Sequence, residues 1–455
     1  VFIALFLMLI GYLLYFLTFQ GEQIINNTYN TRQELFEKKV VRGSILSRDH
    51  QILAQTVVTP DQTEKRVYPF NNLFAQVVGY STHGNIGIEQ MKNFSLLHSN
   101  VYIGEWIDHT IHDEKNIGDH IVSTLDVALQ QAAYDALGAY KGAVIAMDPA
   151  TGEILAMVSK PDFDPNLINE QWDQLQLESE DSPLINRATQ GLYPGGSTFK
   201  IITAYAYLKQ HQNQFQDYSY TCNGILKDGE NEIHCYHNTK HGQVNFIDSF
   251  AQSCNTSFAN IGISLERSKF QTTCDELLFN QALPIDLPSN KSFVPIDQTS
   301  TNEDVIQAAI GQGKTLVTPM HIALITSAIA NDGILMKPYL IQKIESYKGD
   351  EVESFSSKEY KELMTKEESA IMQELMYEVV RTGTGKKLNE ASYTVGGKTG
   401  SAEYSNQTKD SHAWFTGFAA DGNKNIVVTV VVEGAGSGSE YAVPIAKRVF
   451  DSYFN

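Results

Sequence analysis

The stretch Gly191-Leu192-Tyr193-Pro194-Gly195-Gly196-Ser197-Thr198-Phe199-Lys200 decides how this chain is read. Its turn residues lead into a good helical run, Ile201 to Gln210, so Ser197 falls at a helix N-terminus. Serine is common there as a simple N-cap. Lys200, however, lies three residues on, on the same helical face and within reach of the hydroxyl. A serine hydroxyl is a poor nucleophile at its own pKa and needs an adjacent base. A lysine serves when burial lowers its pKa, and Lys200 sits between Phe199 and Ile201. An SxxK match is weak alone, but it occurs once in this chain.

Working outward, the next candidate is Ser253-Cys254-Asn255, inside the apolar-studded run Phe250 to Ile263. Ser300-Thr301-Asn302 has the same SxN pattern but sits in a polar stretch, Asp297 to Asp304, that reads as a solvated loop. A catalytic hydroxyl needs packed neighbours, which favours Ser253. Cys254 reads as a packing thiol. Further on, Thr394-Val395-Gly396-Gly397 leads into Lys398-Thr399-Gly400-Ser401, a glycine-softened strand. In a strand Thr399 and Ser401 share a face and can meet one carboxylate together, and the glycines beside them let a ligand backbone approach.

Around these motifs the texture is that of a folded domain. Leu129, Ala133 and Leu137 recur four apart in Val127 to Leu137, which predicts a helix. Gly142 to Met147 and Glu153 to Val158 flank Asp148-Pro149-Ala150-Thr151-Gly152 and predict a hairpin. Ala413 to Ala419 and Ile426 to Glu433 flank Asp421-Gly422-Asn423 and predict a second one, and Pro444 could open a last helix to about Tyr453. Strands at both ends with helices between them imply an α+β domain, one antiparallel sheet sandwiched by helices, over residues 121–455. Residues 20–120 read as a smaller α+β module, with a turn-rich stretch at Gly79-Tyr80-Ser81-Thr82-His83-Gly84-Asn85. Val1 to Phe19 holds no charge and would span roughly 28 Å as a helix, which predicts a transmembrane anchor.

Composition narrows the function. The 455 residues carry a net charge of -19, so the basic footprint of a nucleic-acid binder is missing. Apolar residues make up 42 %, the range of globular proteins.

SxxK, an SxN-type triad and KTG, in that order, are the signature shared by penicillin-binding proteins and class A β-lactamases. The chain resembles a class B, monofunctional penicillin-binding protein over essentially its whole length. Ser123-Thr124-Leu125-Asp126, Gly311-Gln312-Gly313 before Thr318-Pro319, Gly383-Thr384-Gly385 and Ala413-Trp414-Phe415 add to the likeness. Arg42-Gly43 to Ala54 resembles the family's N-terminal RGxIxDRNGxxLA motif, with Ser47 for the aspartate and Asp49-His50 for Asn-Gly. The resemblance implies the penicillin-binding transpeptidase fold on an N-terminal pedestal, an extracytoplasmic catalytic domain held at the cell membrane, and D,D-transpeptidation of peptidoglycan stem peptides with β-lactams as covalent inhibitors. It implies Ser197 as nucleophile, Lys200 as base and Ser253 as proton relay with Lys200 and Lys398. Asn255 binds the donor amide, and Lys398, Thr399, Gly400 and Ser401 form the strand that receives the terminal carboxylate. The backbone N–H groups of Ser197 and Ser401 form the oxyanion hole. It also implies a SEDS-type glycosyltransferase as partner and no cofactor. A class A β-lactamase would need a deacylating glutamate, but Gly385 stands where the only Leu-Asn pair, Leu388-Asn389, would require it.

The cysteines stay open. Cys222 and Cys235 bracket a polar excursion near His234, His237 and His241. A disulfide, a zinc site like that of some elongation-type relatives, and separate thiols all fit. The irregular spacing is no strong zinc pattern, so the expectation is no metal.

Overall fold

The apolar runs Gly142–Met147 and Lys424–Val432 are buried nearly throughout because helices cover both faces of the sheet they join. The computed structural model describes residues 2–16, 39–112, 114–178, 180–212, 214–229, 231–404 and 411–455. Its five-stranded sheet runs in the order Thr394–Glu403, Ser411–Asp421, Lys424–Val432, Gly142–Met147, Ile154–Lys160, antiparallel throughout. Both expected hairpins form. Strand alternation sends Val144, Ala146, Phe415, Val428 and Val430 to one face, against the helices Val127–Leu137 and Ala442–Phe454. On the other face Thr416 and Thr429 hydrogen-bond each other at 2.7 Å, and Thr326 of the helix Pro319–Ala330 reaches Thr416 at 2.7 Å.

Some motifs quoted from the sequence turn out to be helix starts. Asp126 caps Val127–Leu137 by accepting from the Leu129 N–H at 2.9 Å. Thr318 caps Pro319–Ala330, with Pro319 in the first turn where its missing N–H costs nothing. Ser300-Thr301-Asn302 departs from the solvated loop expected over 297–304. Thr301 and Asp304 form a capping box, and Asn302–Ala309 is helical.

The chain divides into two units. The larger comprises Leu125–Asp162, Glu178–Leu340 and Ser356–Asn455. The smaller takes the chain up to Thr124 together with Phe163–Leu177 and Ile341–Phe355, two excursions that a single boundary at residue 121 leaves in the larger unit. Its six-stranded sheet has the order Glu351–Ser354, Ile341–Glu345, His120–Ser123, Ile45–Leu46, Ile52–Val58, Glu64–Val67. In the turn between Ile45–Leu46 and Ile52–Val58, the Ser47 hydroxyl donates to Asp49 and accepts from the Gln51 N–H at 2.9 Å, which supplies the turn chemistry of the usual aspartate. His50 sits at φ 62°, the left-handed position for which glycine is the ordinary residue.

The first helix is described over Phe2–Tyr15, fourteen residues without a charge. Among the described residues no helix is long and apolar enough to cross a membrane. The remainder of the expected span, residue 1 and residues 17–19, lies outside them.

Candidate active site

Ser197 lies in a single 3-10 turn, Gly196–Thr198, that runs directly into the helix Lys200–Gln210. That turn is pressed onto the sheet's edge strand, and the fit depends on two glycines. Gly196 has φ +50°, and a Cβ there would stand 2.8 Å from the Ser401 carbonyl oxygen. Gly311 has φ +72°, and its Cβ would fall 2.1 Å from the Gly196 carbonyl oxygen. The Gly196 N–H donates to the Gly311 carbonyl at 2.8 Å. Next in line, the Gln312 side-chain amide, oriented so that both its atoms are satisfied, pairs with the Glu403 backbone through two 3.1 Å bonds. The segment Gly311-Gln312-Gly313 thus ties the nucleophile's turn to the end of the edge strand.

Ser253 occupies the break between the helices Phe246–Ala251 and Asn255–Ser264, at φ 57°. A left-handed backbone at a non-glycine residue is a strained conformation that its surroundings must hold. Here the Cys254 side chain caps the second helix by accepting from the Ser257 N–H. Asn255 donates to the His234 carbonyl at 3.0 Å.

Two lysines converge on Ser253. Lys200 Nζ donates to Ser253 Oγ at 3.2 Å, to the Ser253 carbonyl at 2.7 Å and to Asn255 Oδ1 at 2.7 Å. Lys398 Nζ donates to the same hydroxyl at 2.9 Å and to the Thr399 carbonyl at 3.0 Å. Both side chains are fully buried. Burial pushes the Lys200 ammonium down to about 8. Burial, and then the neighbouring Lys200 charge, pushes Lys398 well below the ordinary lysine range.

On the edge strand Thr399 Oγ1 lies 2.5 Å from Thr384 Oγ1, and Ser401 Oγ accepts from the Gly438 N–H at 3.4 Å. The structure therefore brings Lys200, Ser253, Asn255 and Lys398 into one hydrogen-bonded cluster, and the turn that carries Ser197 packs on the strand that continues from Lys398 to Ser401. One expected contact differs. Among the described residues Ser197 Oγ makes no hydrogen bond to Lys200, because the three N–H bonds of the charged lysine go to Ser253 and Asn255. Catalytic hydrogen bonds often tighten only with substrate bound. Ser300 lies outside the cluster, bonded to Asp297 in its own turn. Thr384 belongs to Gly383-Thr384-Gly385, and no local sequence pattern ties it to Thr399.

Beside Ser253 lies a second cluster. Cys222 Sγ is 3.6 Å from Cys235 Sγ and 3.3 Å from His241 Nδ1, and Cys235 Sγ is 3.7 Å from Cys254 Sγ. A disulfide needs about 2.05 Å, so the cysteines are free thiols. All four donor atoms lie within 4.8 Å of one another. Thiolates about 2.3 Å from one tetrahedral ion would stand roughly 3.8 Å apart, so this Cys₃His set fits a zinc-type ion. The hydrogen bond between Cys235 and Cys254 holds one of the two thiols well below its ordinary range and pushes the other up. The expectation is no metal, yet the fold gathers four side chains that could hold one, and Cys254, read as a packing thiol, is among them. The ligands come from a strand end, a hairpin exit, a loop and a helix cap, so their sequence spacing carries no pattern.

The sequence profile of the penicillin-binding protein transpeptidase domain matches residues 142–451, and that of the penicillin-binding protein A dimerisation domain matches residues 42–120. The chain belongs to the penicillin-binding protein transpeptidases. It is 30 % identical over 450 residues to the peptidoglycan D,D-transpeptidase PbpA of Mycolicibacterium smegmatis, covering 92 % of this chain and 90 % of that one. The structure of penicillin-binding protein A from M. tuberculosis as a ceftriaxone acyl-enzyme complex superposes with a TM-score of 0.84 at 26 % identity, covering 92 % of this chain and all of that one. The D,D-transpeptidase domain from Eggerthella lenta gives 0.80 at 29 % identity, covering 90 % of this chain and 97 % of that one. In this penicillin-binding protein the three family motifs are the elements that the folded chain gathers around Ser253.

Proposed function

We propose that Ser197 is the residue acylated in a D,D-transpeptidase reaction and that Lys200 is its base. The protein is a peptidoglycan D,D-transpeptidase, a serine acyltransferase that β-lactams inhibit covalently. The observation that carries the residue assignment is the pair of buried lysines meeting at Ser253 Oγ. Neutral Lys200 takes the Ser197 proton as Oγ attacks the carbonyl of the penultimate D-Ala. Ser253, with Lys398 beyond it, passes a proton to the departing amine, and the C–N bond breaks to release D-Ala. An amino group from a neighbouring stem then attacks the ester and restores the serine. Asn255 holds the donor amide, Lys398, Thr399 and Ser401 meet its terminal carboxylate, and the N–H groups of Ser197 and Ser401 meet the oxyanion, each such donor being worth about 3 kcal/mol.

Cys222, Cys235, His241 and Cys254 would hold a zinc-type ion, which when bound would supply a fixed crosslink among the segments that carry them. Through Cys254 these residues hold the backbone of Ser253 and Asn255 in place. Residues 1–19 serve as a single membrane span with the catalytic domain outside the cytoplasm, and a SEDS-type glycosyltransferase supplies the glycan strands. The charge-free run Val1 to Phe19 supports the first point, and family resemblance supports the second.

The test is D-Ala release and cross-link formation from glycan strands polymerised in situ from lipid II. The wild type should yield both, and Ser197→Ala neither, since loss of a nucleophile typically costs about a million-fold in turnover. Cross-linking that survives Ser197→Ala would overturn the assignment.

A further inference from the structure

The smaller unit holds a cavity of about 350 Å³ that the transpeptidase reaction does not use. Arg42, Lys65, Arg66, Tyr68 and Thr82 line it. Its wall is an unbalanced buried charge network. Glu89, fully buried, accepts from Arg42 Nε at 2.7 Å, from Arg66 Nε at 2.7 Å and from the Tyr68 hydroxyl at 3.1 Å. Burial alone would raise the Glu89 carboxyl, but the two guanidiniums outweigh it and hold it below its ordinary range, so it is ionised. One carboxylate thus answers two guanidiniums, and one positive charge is left over. Glu89 lies behind Arg42, Arg66 and Tyr68, and the acid that does line the cavity, Glu64, is engaged by Lys115 at 2.5 Å and does not make up the difference.

The donors show where that charge is unanswered. Arg42 spends Nη1 on Asn93 and Nη2 on the Glu89 carbonyl at 2.8 Å. Arg66 spends Nη1 on the Gly43 carbonyl at 2.6 Å and on Thr56 Oγ1 at 3.1 Å. Arg66 Nη2 is buried with no acceptor among the described residues, although its side chain is 90 % buried. Thr82 Oγ1 is likewise buried without a partner. A buried guanidinium N–H without an acceptor has lost its hydration with nothing in return, and a buried surplus charge is costly unless something pairs it.

We propose that this cavity is a binding site for a small oxyanion, a carboxylate or phosphate group, held by Arg66 with Thr82 beside it. An oxyanion accepts from guanidinium N–H and hydroxyl donors together, in the short charge-assisted bonds for which arginine is suited. Thr82 lies in the turn-rich stretch Gly79 to Asn85, which has no part in the acyl-transfer chemistry. The inference stands apart from Ser197 and does not depend on its role.

The test is isothermal titration calorimetry on the full chain in detergent, with inorganic phosphate and glutarate as separate probes and Thr82→Val and Arg66→Gln as variants. Thr82→Val keeps the shape and removes a hydroxyl that no protein group uses, so a purely structural role leaves its fold intact. Saturable binding of one anion per chain is expected, weakened at least fivefold by Thr82→Val and tenfold by Arg66→Gln. Should Arg66→Gln fail to fold, Thr82→Val decides alone. Phosphate binding alone assigns a phosphoryl ligand, and glutarate binding alone a carboxylate. The proposal fails if neither anion saturates, or if Thr82→Val binds them as the wild type does.

Discussion

At the scale of single residues, the chemistry depends on how far burial moves two lysines. With Lys200 pushed down to about 8, about a tenth of it is neutral at pH 7 and about a hundredth at pH 6. Only the neutral form can take the Ser197 proton, so the rate of acylation by a chromogenic cephalosporin should climb close to tenfold from pH 6 to pH 7 and level off above pH 8. A profile flat from pH 6 to 9 would remove Lys200 as the base. Ser253→Ala deletes the acceptor shared by both lysines and should lower that rate by about 10² to 10⁴. Ser300→Ala should leave it within twofold, because among the described residues the Ser300 hydroxyl is bonded to Asp297 in its own turn and to the Pro295 carbonyl, away from the lysines. These residues were legible because each motif is short and local, and a three-residue spacing on a helix already brings serine and lysine to one face. The actual partners of Lys200 were not legible. They depend on the left-handed backbone at Ser253, which no spacing rule encodes.

At the scale of elements, the site is a 3-10 turn wedged between the edge strand and the loop Gly311 to Gly313. Gly311→Ala would drive a Cβ to 2.1 Å from the Gly196 carbonyl oxygen. It should lower acylation by at least tenfold and cost about 3 kcal/mol of stability or more. Gly422→Ala is the control. Gly422 has φ +58° with nothing within 4 Å of its Cβ position, so it should cost only about 1 kcal/mol and leave acylation unchanged. The strands and the helices Val127–Leu137 and Ala442–Phe454 could be read from alternation and periodicity. The Cys₃His cluster could not, since it assembles only when the strand Ser219–Cys222 pairs Cys222 with Gly242, beside His241. If it holds zinc, metal analysis of chelator-free protein should give close to one equivalent. Removing the metal should lower the melting temperature, and Cys235→Ser should abolish the stoichiometric content. Protein purified with no zinc and no change in melting on chelation would leave the cluster as three packed thiols and a histidine.

At the scale of the whole molecule, the fold class and the order of the motifs were readable from one end of the chain to the other. The make-up of the smaller unit was not, because Phe163–Leu177 and Ile341–Phe355 join it from far along the sequence, and strand pairing across hundreds of residues leaves no local trace. What the whole molecule is built to do is to hold an acyl ester until an amine arrives. An acyl-enzyme of that kind gains nothing from hydrolysis, and in the sequence Gly385 stands where the Leu388-Asn389 pair would require the deacylating glutamate of a class A β-lactamase. A deacylation rate near 10⁻⁴ per second corresponds to a barrier of roughly 23 kcal/mol, against roughly 13 kcal/mol for a β-lactamase turning over about a thousand times per second. The most direct measurement is intact mass of the protein over time after mixing with benzylpenicillin, followed by peptide mapping of the adduct. A single adduct on Ser197 that persists for hours is the predicted result. An adduct on another residue, or its rapid loss with many equivalents of antibiotic hydrolysed, would contradict the account.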